Sequence, residues 1–195
     1  MHLSRWRSGA LVWVLPFLFA AVAVACGGAA HTAEPTTTRP PTPTTKTEDV
    51  HMNADDFHNL HTMTHVRGFY VTNVLGHLDA TLAVARSPNG GQYPTGTLLQ
   101  LVPQEAMVKH RHGYDPTTND WEFFSLDVSA QGTKIVTRGG QAVMNRFGGS
   151  CASCHSAANP KFDLVCEHDH GCAPLPIGDD VIRAVQNADP RPVSH

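Results

Sequence analysis

The sequence predicts an α+β domain in which a small antiparallel β-sheet forms a meander with flanking helices. Two observations predict this class. Short segments with alternating apolar residues, separated by turn residues, fill the middle of the chain, whereas helical spacing is found mostly on either side of them. The length of 195 residues suits one ordinary domain with appendages.

The first elements are a helix, a strand and a second helix. Residues 53–66 predict a helix, because their apolar side chains recur at helical spacing behind good capping residues. Residues 68–75 are rich in β-forming side chains and predict a strand. Residues 77–86 alternate as a strand would, but their alanine content and leucine spacing favour a helix.

The remaining elements form most of the meander. A loop rich in glycine and proline precedes them, and a turn at residues 115–120 interrupts them. The predicted strands are 97–102, 106–111, 121–129 and 133–138. The region after residue 150 is rich in loops, with one short predicted helix at 179–187.

The charge balance excludes a nucleic-acid binder. The chain has 14 basic and 17 acidic side chains, a net charge of −3, and no cluster of lysines and arginines that would neutralise phosphates. The unusual counts are 13 histidines and 5 cysteines, which point to metal or haem chemistry.

Residues 1–25 predict a secretory signal peptide of the lipoprotein type. Arg5 and Arg7 precede the charge-free residues 10–25, and small residues lead to Cys26, which we predict to be lipidated. An uncleaved anchor helix is the alternative, although the apolar segment is short for a membrane span. Cleavage would remove two basic groups and no acid, and would change the net charge from −3 to −5.

The next segment separates this leader from the domain. Residues 26–50 are rich in proline and threonine and predict an extended linker. Residues 51–195 are then the folded domain. We expect it to be exported and held by the lipid on the periplasmic side of a bacterial membrane.

Residues 151–155 carry the most specific motif. They read Cys-Ala-Ser-Cys-His, the C-x-x-C-H sequence to which c-type haem is attached. Cys151 and Cys154 can each bond one vinyl edge of a porphyrin, and His155 then becomes the proximal iron ligand. One covalent haem c is the predicted cofactor, bound by a C-terminal segment of the domain. A redox disulfide and part of a zinc site are the alternatives.

Two further cysteines lie in the segment CEHDHGC. In an oxidising compartment, Cys166 and Cys172 most simply form a disulfide. The alternative is a metal site that adds His168 and His170 to the two thiols.

The sixth iron ligand decides between electron transfer and small-molecule chemistry. The histidines of the first predicted helix would face inward together if that helix formed. The candidates are His58, His61, His65, Met63, Met107, His110, His112 and Met144. Arg138 and Arg146 lie on the N-terminal side of the motif, and each would either pair with a haem propionate or remain a solvated charge.

The chain resembles the cytochrome P-460 and cytochrome c′-beta superfamily, over residues 67–162. The resemblance is carried by the turn QYPTGT at 92–97, the aromatic strand WEFF at 121–124 and the motif CASCH, which follows the predicted sheet. Most monohaem c-type cytochromes instead carry the motif near the start of an all-helical fold. The resemblance implies a small sheet over one haem face, His155 as proximal ligand and an open distal side capped by apolar side chains.

The resemblance also implies activity toward hydroxylamine or nitric oxide. In the P-460 branch, a lysine on the strand after the glycine turn is cross-linked to the porphyrin. Counting from Gly96 places Leu101 at that position, and the nearest basic residue, Lys109, falls on the next predicted strand. This departure shifts the prediction from hydroxylamine oxidation toward a gas binder of the c′-beta type, with Lys109 kept as an alternative cross-linking residue.

The leading hypothesis is therefore a lipid-anchored haem protein whose distal site takes nitric oxide, hydroxylamine or a similar small molecule. Phe69, Leu101 and Phe124 are the predicted distal wall, and an enzymatic role would be that of a haem oxidoreductase. The alternatives are an electron-transfer cytochrome with a His or Met sixth ligand and a non-haem lipoprotein binding module whose histidines take up metal. A redox partner protein with a basic surface and a homodimer are further predicted associations.

Overall fold

The structure, a computed structural model, describes residues 49–193. The predicted signal peptide, Cys26 and the linker as far as residue 48 lie outside the described residues. Among residues 49–193, no helix has the length and apolar character needed to cross a membrane.

Six strands form one antiparallel sheet in which each strand pairs with its neighbours in the chain, so the predicted meander is confirmed. The strands are β1 Thr64–Val66, β2 Phe69–Asn73, β3 Thr97–Gln100, β4 Glu105–Lys109, β5 Trp121–Ser129 and β6 Gly132–Gly139. A register shift between Ser125 and Leu126 bends the pairing of β5 with β6.

Three α-helices flank the sheet within residues 49–193, and the fold of this part is therefore α+β, as predicted. They are α1 Leu78–Ala85, α2 Cys151–His155 and α3 Asp179–Asn187. Short 3-10 turns occupy Ala54–Asp56, Leu60–Thr62, Pro116–Thr118 and Pro160–Phe162. The predicted helix at 77–86 is confirmed as α1, and the predicted helix at 179–187 is confirmed as α3.

The predicted helix at 53–66 is wrong. This segment forms two separate 3-10 turns and then β1, which pairs antiparallel with β2. Asn59 interrupts the predicted helix. Its side-chain oxygen accepts a hydrogen bond from the His61 amide and so caps the second turn, and its side-chain nitrogen donates to the Arg191 carbonyl at 2.6 Å. The bond to the distant C-terminal segment outweighs the local helical spacing.

The fold begins slightly earlier than predicted. Val50 is buried in the core, and Asp49 accepts a hydrogen bond from Arg111 Nε at 2.9 Å. The last two residues of the predicted linker therefore belong to the domain.

The sheet buries side chains on both faces. The motif face is the one that packs against Cys151 and Ala152, and its buried residues are Phe69, Val71, Leu99, Met107, Trp121 and Phe123. The opposite face packs against the N-terminal segment, and its buried residues are Leu98, Ala106, Val108, Phe124 and Leu126. Alternation along each strand assigns neighbouring residues to different faces.

The loop before β3 requires glycine at one position. Gly96 has a φ of +86°, and a Cβ there would lie 2.8 Å from both Asn73 Oδ1 and Leu75 Cγ. The Gly96 amide also donates to the Lys109 carbonyl at 2.9 Å, which sets the start of β3 against β4. The turn that carries part of the family resemblance is thus fixed by packing against β2.

Candidate haem site

Helix α2 carries the C-x-x-C-H motif against the sheet. Ser150 caps it by accepting a hydrogen bond from the Ser153 amide, and the Cys151 amide donates to the Val143 carbonyl at 2.9 Å. Cys151 is buried in the motif-face core, whereas Cys154, three residues later, is exposed. The helix therefore presents its two thiols in different surroundings, one inside and one at the surface.

The ring of His155 is held in one orientation. Its Nδ1 donates to the Leu164 carbonyl at 2.7 Å, and its centroid lies 5.1 Å from that of Phe123. A carbonyl oxygen only accepts, so Nδ1 carries the proton and Nε2 of the neutral ring is left with a lone pair. Burial lowers the pKa of His155, which outweighs the opposing effect of the bond to Leu164 and favours this neutral form.

This arrangement fits a haem iron. Histidines that bind metals almost always donate the other ring N–H to a carbonyl or carboxylate, which fixes the tautomer and raises the basicity of the ligand. His155 has that bond in place, and the tautomer it sets leaves on Nε2 the lone pair that an iron ligand needs. Cys151 and Cys154 are both free thiols and could form the two thioethers.

The alternative of a redox disulfide fits less well. Burial raises the pKa of the Cys151 thiol to about 11, with the nearby Glu105 carboxylate adding to the effect. Thiol–disulfide enzymes need a lowered thiol pKa and carry the motif at the start of a longer helix. Helix α2 has 5 residues and follows a loop, so it offers neither feature.

The alternative of a zinc site also lacks support. Within residues 49–193, no group of three or more His, Cys, Asp or Glu side chains is placed to hold a metal ion. Cys166 and Cys172 form a disulfide with a Cα–Cα distance of 5.7 Å, so they have no thiolates to offer a metal. Of the two alternatives for the segment CEHDHGC, the structure shows the disulfide and not the metal site.

The disulfide loop packs close to the motif. The Asn159 amide donates to the His170 carbonyl at 2.6 Å, and the His170 ring stacks on Phe162 with centroids 3.5 Å apart. His170 Nδ1 also donates to the Val165 carbonyl at 2.8 Å. His170 is thus a packing residue, and His168 is exposed.

Comparison with known proteins adds no relative. No protein-family model, no curated protein and no solved structure matches the chain. The functional argument therefore depends on the motif and on the geometry around it.

The three residues of the predicted distal wall do not share one face of the sheet. Phe69 and Leu101 lie on the motif face, Phe69 buried and Leu101 partly buried. Phe124 lies on the opposite face, where its ring packs 5.0 Å from that of Phe57. The one-residue step along β5 reverses the face, and Phe123 is the residue that contacts His155.

The candidate sixth ligands are widely separated. The predicted inward cluster of helix histidines is wrong, because the helix does not form and His58, His61 and His65 are all exposed. His112 and Met144 are exposed, Met63 packs on the opposite face, and His110 is bound to Glu122 at 2.8 Å. Met107 is the candidate buried in the motif-face core.

The two arginines near the motif differ in their partners. Arg138 donates to both carboxylate oxygens of Glu122, at 2.7 and 2.9 Å, and to the Met52 carbonyl. Its guanidinium is held on the opposite face, so neither alternative considered for Arg138, a propionate partner or a solvated charge, describes this arrangement. Arg146 is exposed in the loop before α2, and its role as a propionate partner stays a prediction.

Lys109 lies on β4, the strand after the one that follows the glycine turn. Its Nζ donates to Asp163 Oδ1 at 2.7 Å and to the Asn119 carbonyl at 2.6 Å. Sequence reasoning missed Asp163, a buried carboxylate 54 residues away from Lys109 along the chain. A buried lysine needs a counter-charge, which is the signal that could have prompted a search for one.

Proposed function

We propose that the chain is a monohaem c-type haem protein in which Cys151 and Cys154 hold the porphyrin and His155 binds the iron. The observation that carries the proposal is the hydrogen bond from His155 Nδ1 to the Leu164 carbonyl. It gives the imidazole the tautomer and orientation that a proximal ligand needs. The motif spacing and the two free thiols support the same conclusion.

We further propose that the distal side is open and takes a small neutral molecule such as nitric oxide. A bound haem would supply an iron that coordinates such a ligand directly. The motif face carries a buried apolar cluster, in which Phe69 and Leu101 would exclude water and disfavour a charged ligand. None of the histidines proposed as sixth ligands is in the motif-face core that the structure describes.

Within this proposal, gas binding is favoured over hydroxylamine oxidation. Leu101 occupies the position expected for the cross-linking lysine of the P-460 branch, and its side chain packs on the motif face. Lys109 is committed to Asp163 and Asn119, so a cross-link through its nitrogen would require breaking a buried ion pair. The protein would then be of the c′-beta type.

Export is part of the same proposal. The disulfide between Cys166 and Cys172 suits an oxidising compartment, where attachment of c-type haem also takes place. We propose that the domain is held by a lipid on Cys26 at the periplasmic side of a bacterial membrane. A redox protein and a second copy of the chain remain its proposed macromolecular partners.

The optical spectrum with and without nitric oxide tests the open distal side. We expect the ferrous protein to be high-spin and five-coordinate, and its Soret band to shift when the gas is added, because the proposed open site leaves the sixth position without a protein ligand. Sharp low-spin bands that the gas leaves unchanged would overturn the open site. A Soret band shifted far to the red would instead indicate a lysine cross-link.

Met107 supports one second candidate, an electron carrier. Its thioether is buried on the motif face, and a methionine is a common sixth ligand in electron-transfer cytochromes. The variant Met107→Leu separates the two, because leucine retains the packing but cannot ligate. An electron carrier would lose its low-spin spectrum on this substitution, whereas the proposed gas binder would keep the wild-type spectrum.

The variant His155→Ala tests the proximal ligand. We expect the haem to stay attached, because both thiols remain, while the ferrous spectrum changes for lack of the imidazole. Retained peroxidase staining on a denaturing gel and the optical spectrum measure the two effects. His170→Ala is the matched control, since it removes a neighbouring imidazole that is stacked on Phe162, and it should keep the wild-type spectrum. An unchanged spectrum in His155→Ala would refute the ligand assignment.

A further inference from the structure

The backbone next to the proximal histidine is strained. Asp163 and Leu164 follow the 3-10 turn Pro160–Phe162, and their φ angles are +53° and +61°. Side chains other than glycine seldom adopt this left-handed region, and two successive residues in it are rarer still. Surrounding contacts must therefore hold the pair in place.

The side chain of Asp163 supplies those contacts. It is fully buried and accepts hydrogen bonds from Lys109 Nζ at 2.7 Å, from the Tyr93 amide at 2.8 Å and from the Asn119 side chain. The Asp163 carbonyl accepts from Trp121 Nε1 at 2.7 Å. Both the carboxylate and the backbone of this residue are thus fixed by groups from the sheet and its loops.

Lys109 and Trp121 act from adjacent strands. They are direct partners in the register of β4 with β5, and Lys109 Nζ lies 5.1 Å from the Trp121 ring centroid. One side chain therefore holds the carboxylate of Asp163 while the other holds its carbonyl. The next carbonyl along the chain, that of Leu164, accepts from His155 Nδ1.

We propose that Lys109 is a positioning residue that, through Asp163, aims the Leu164 carbonyl at the proximal histidine and so tunes the electron donation of His155 to the iron. The proposal rests on the proposed haem function. A strong bond from Nδ1 makes the imidazole a more basic ligand, which stabilises the ferric state. Weakening this bond should therefore raise the reduction potential of the haem.

The test is the reduction potential of Lys109→Met, with the ferrous iron–histidine stretching frequency as a second readout. Methionine fills the space of the lysine stem but cannot anchor Asp163. We expect the potential to rise and the stretching frequency to fall relative to wild type. Trp121→Phe removes the Nε1 donor of the network and keeps both charges, so it should shift both readouts in the same direction.

A matched control separates positioning from general loss of stability. Leu98→Ala creates a cavity on the opposite face, away from the network, and should leave the potential and the frequency at wild-type values. Wild-type values in both Lys109→Met and Trp121→Phe would overturn the proposal, as would an equal shift in Leu98→Ala. If the wild-type chain carries no covalent haem, the proposed function fails first, and this result is seen on a denaturing gel before any potential is measured.

Discussion

A chain in which Cys151 and Cys154 are both replaced by alanine is expected to carry no covalent haem. In the proposed site each thiol would supply one of the two bonds to the porphyrin, and no other free cysteine occurs among residues 49–193. Peroxidase staining of a denaturing gel measures the loss, with the protein produced in a bacterium that attaches c-type haem. Either single variant should retain some stain, because one thioether remains possible.

The matched control removes the other cysteine pair. Replacing Cys166 and Cys172 with alanine also removes two sulfur atoms, but it should leave the haem stain at wild-type strength. We expect that variant to lose about 2 kcal/mol of unfolding free energy, because the disulfide closes a short loop. Equal staining of the Cys151/Cys154 double variant and the wild type would exclude c-type attachment at the motif.

The elements that sequence analysis located correctly depend on local pattern. The alternation of residues 121–129 gives the bounds of β5, and the helical spacing of 179–187 gives those of α3. Hairpin connections then make the meander the simplest topology, and the structure confirms it. The motif at 151–155 is local as well, since its recognition in the sequence depends on spacing alone, and the haem that it predicts stays a prediction.

The parts that sequence analysis missed depend on contacts between distant residues. Asn59 bonds to Arg191, 132 residues away, and this bond helps to break the predicted helix. Lys109 and Asp163 are 54 residues apart, and the hydrogen bond from His155 to Leu164 depends on a backbone conformation that no pattern predicts. The face of Phe124 was misjudged because a one-residue step in a strand reverses the side.

The two faces of the sheet carry different chemistry. The motif face holds the Cys151 thiol, the ring of His155 and the buried ion pair of Lys109 with Asp163. The opposite face holds a second buried carboxylate, Glu122, which neighbours Trp121 and Phe123 in the chain but points the other way. A change at Glu122 should therefore affect stability without altering the motif.

The variant Glu122→Gln is predicted to lower the unfolding free energy at pH 7 by about 3 kcal/mol. The Glu122 side chain is 2% exposed and accepts from His110 and Arg138. Breaking a buried pair costs about 3–5 kcal/mol, and the partial exposure of Arg138 places the expected cost at the lower end. Urea denaturation of wild type and variant measures it.

The unfolding free energy that Glu122→Gln loses should become smaller as the pH falls. Burial raises the pKa of Glu122, but the hydrogen bonds from His110 and Arg138 outweigh burial and hold the pKa below its ordinary value of 4.5. A depressed pKa in the folded state contributes stability above the unfolded value and loses it as the pH falls through the folded value. The wild-type advantage over Glu122→Gln should therefore be full at pH 7 and shrink well below pH 4.5.

Asp127→Asn is the matched control, because it removes one negative charge from the same strand at an exposed position. Its effect should stay within about 0.5 kcal/mol at every pH. The absorption spectrum of the proposed haem should be the same in both variants and the wild type, since neither residue lies on the motif face. If Glu122→Gln and Asp127→Asn cost the same, the buried charge contributes no more than a solvated one, and the opposite face is held by its apolar side chains alone.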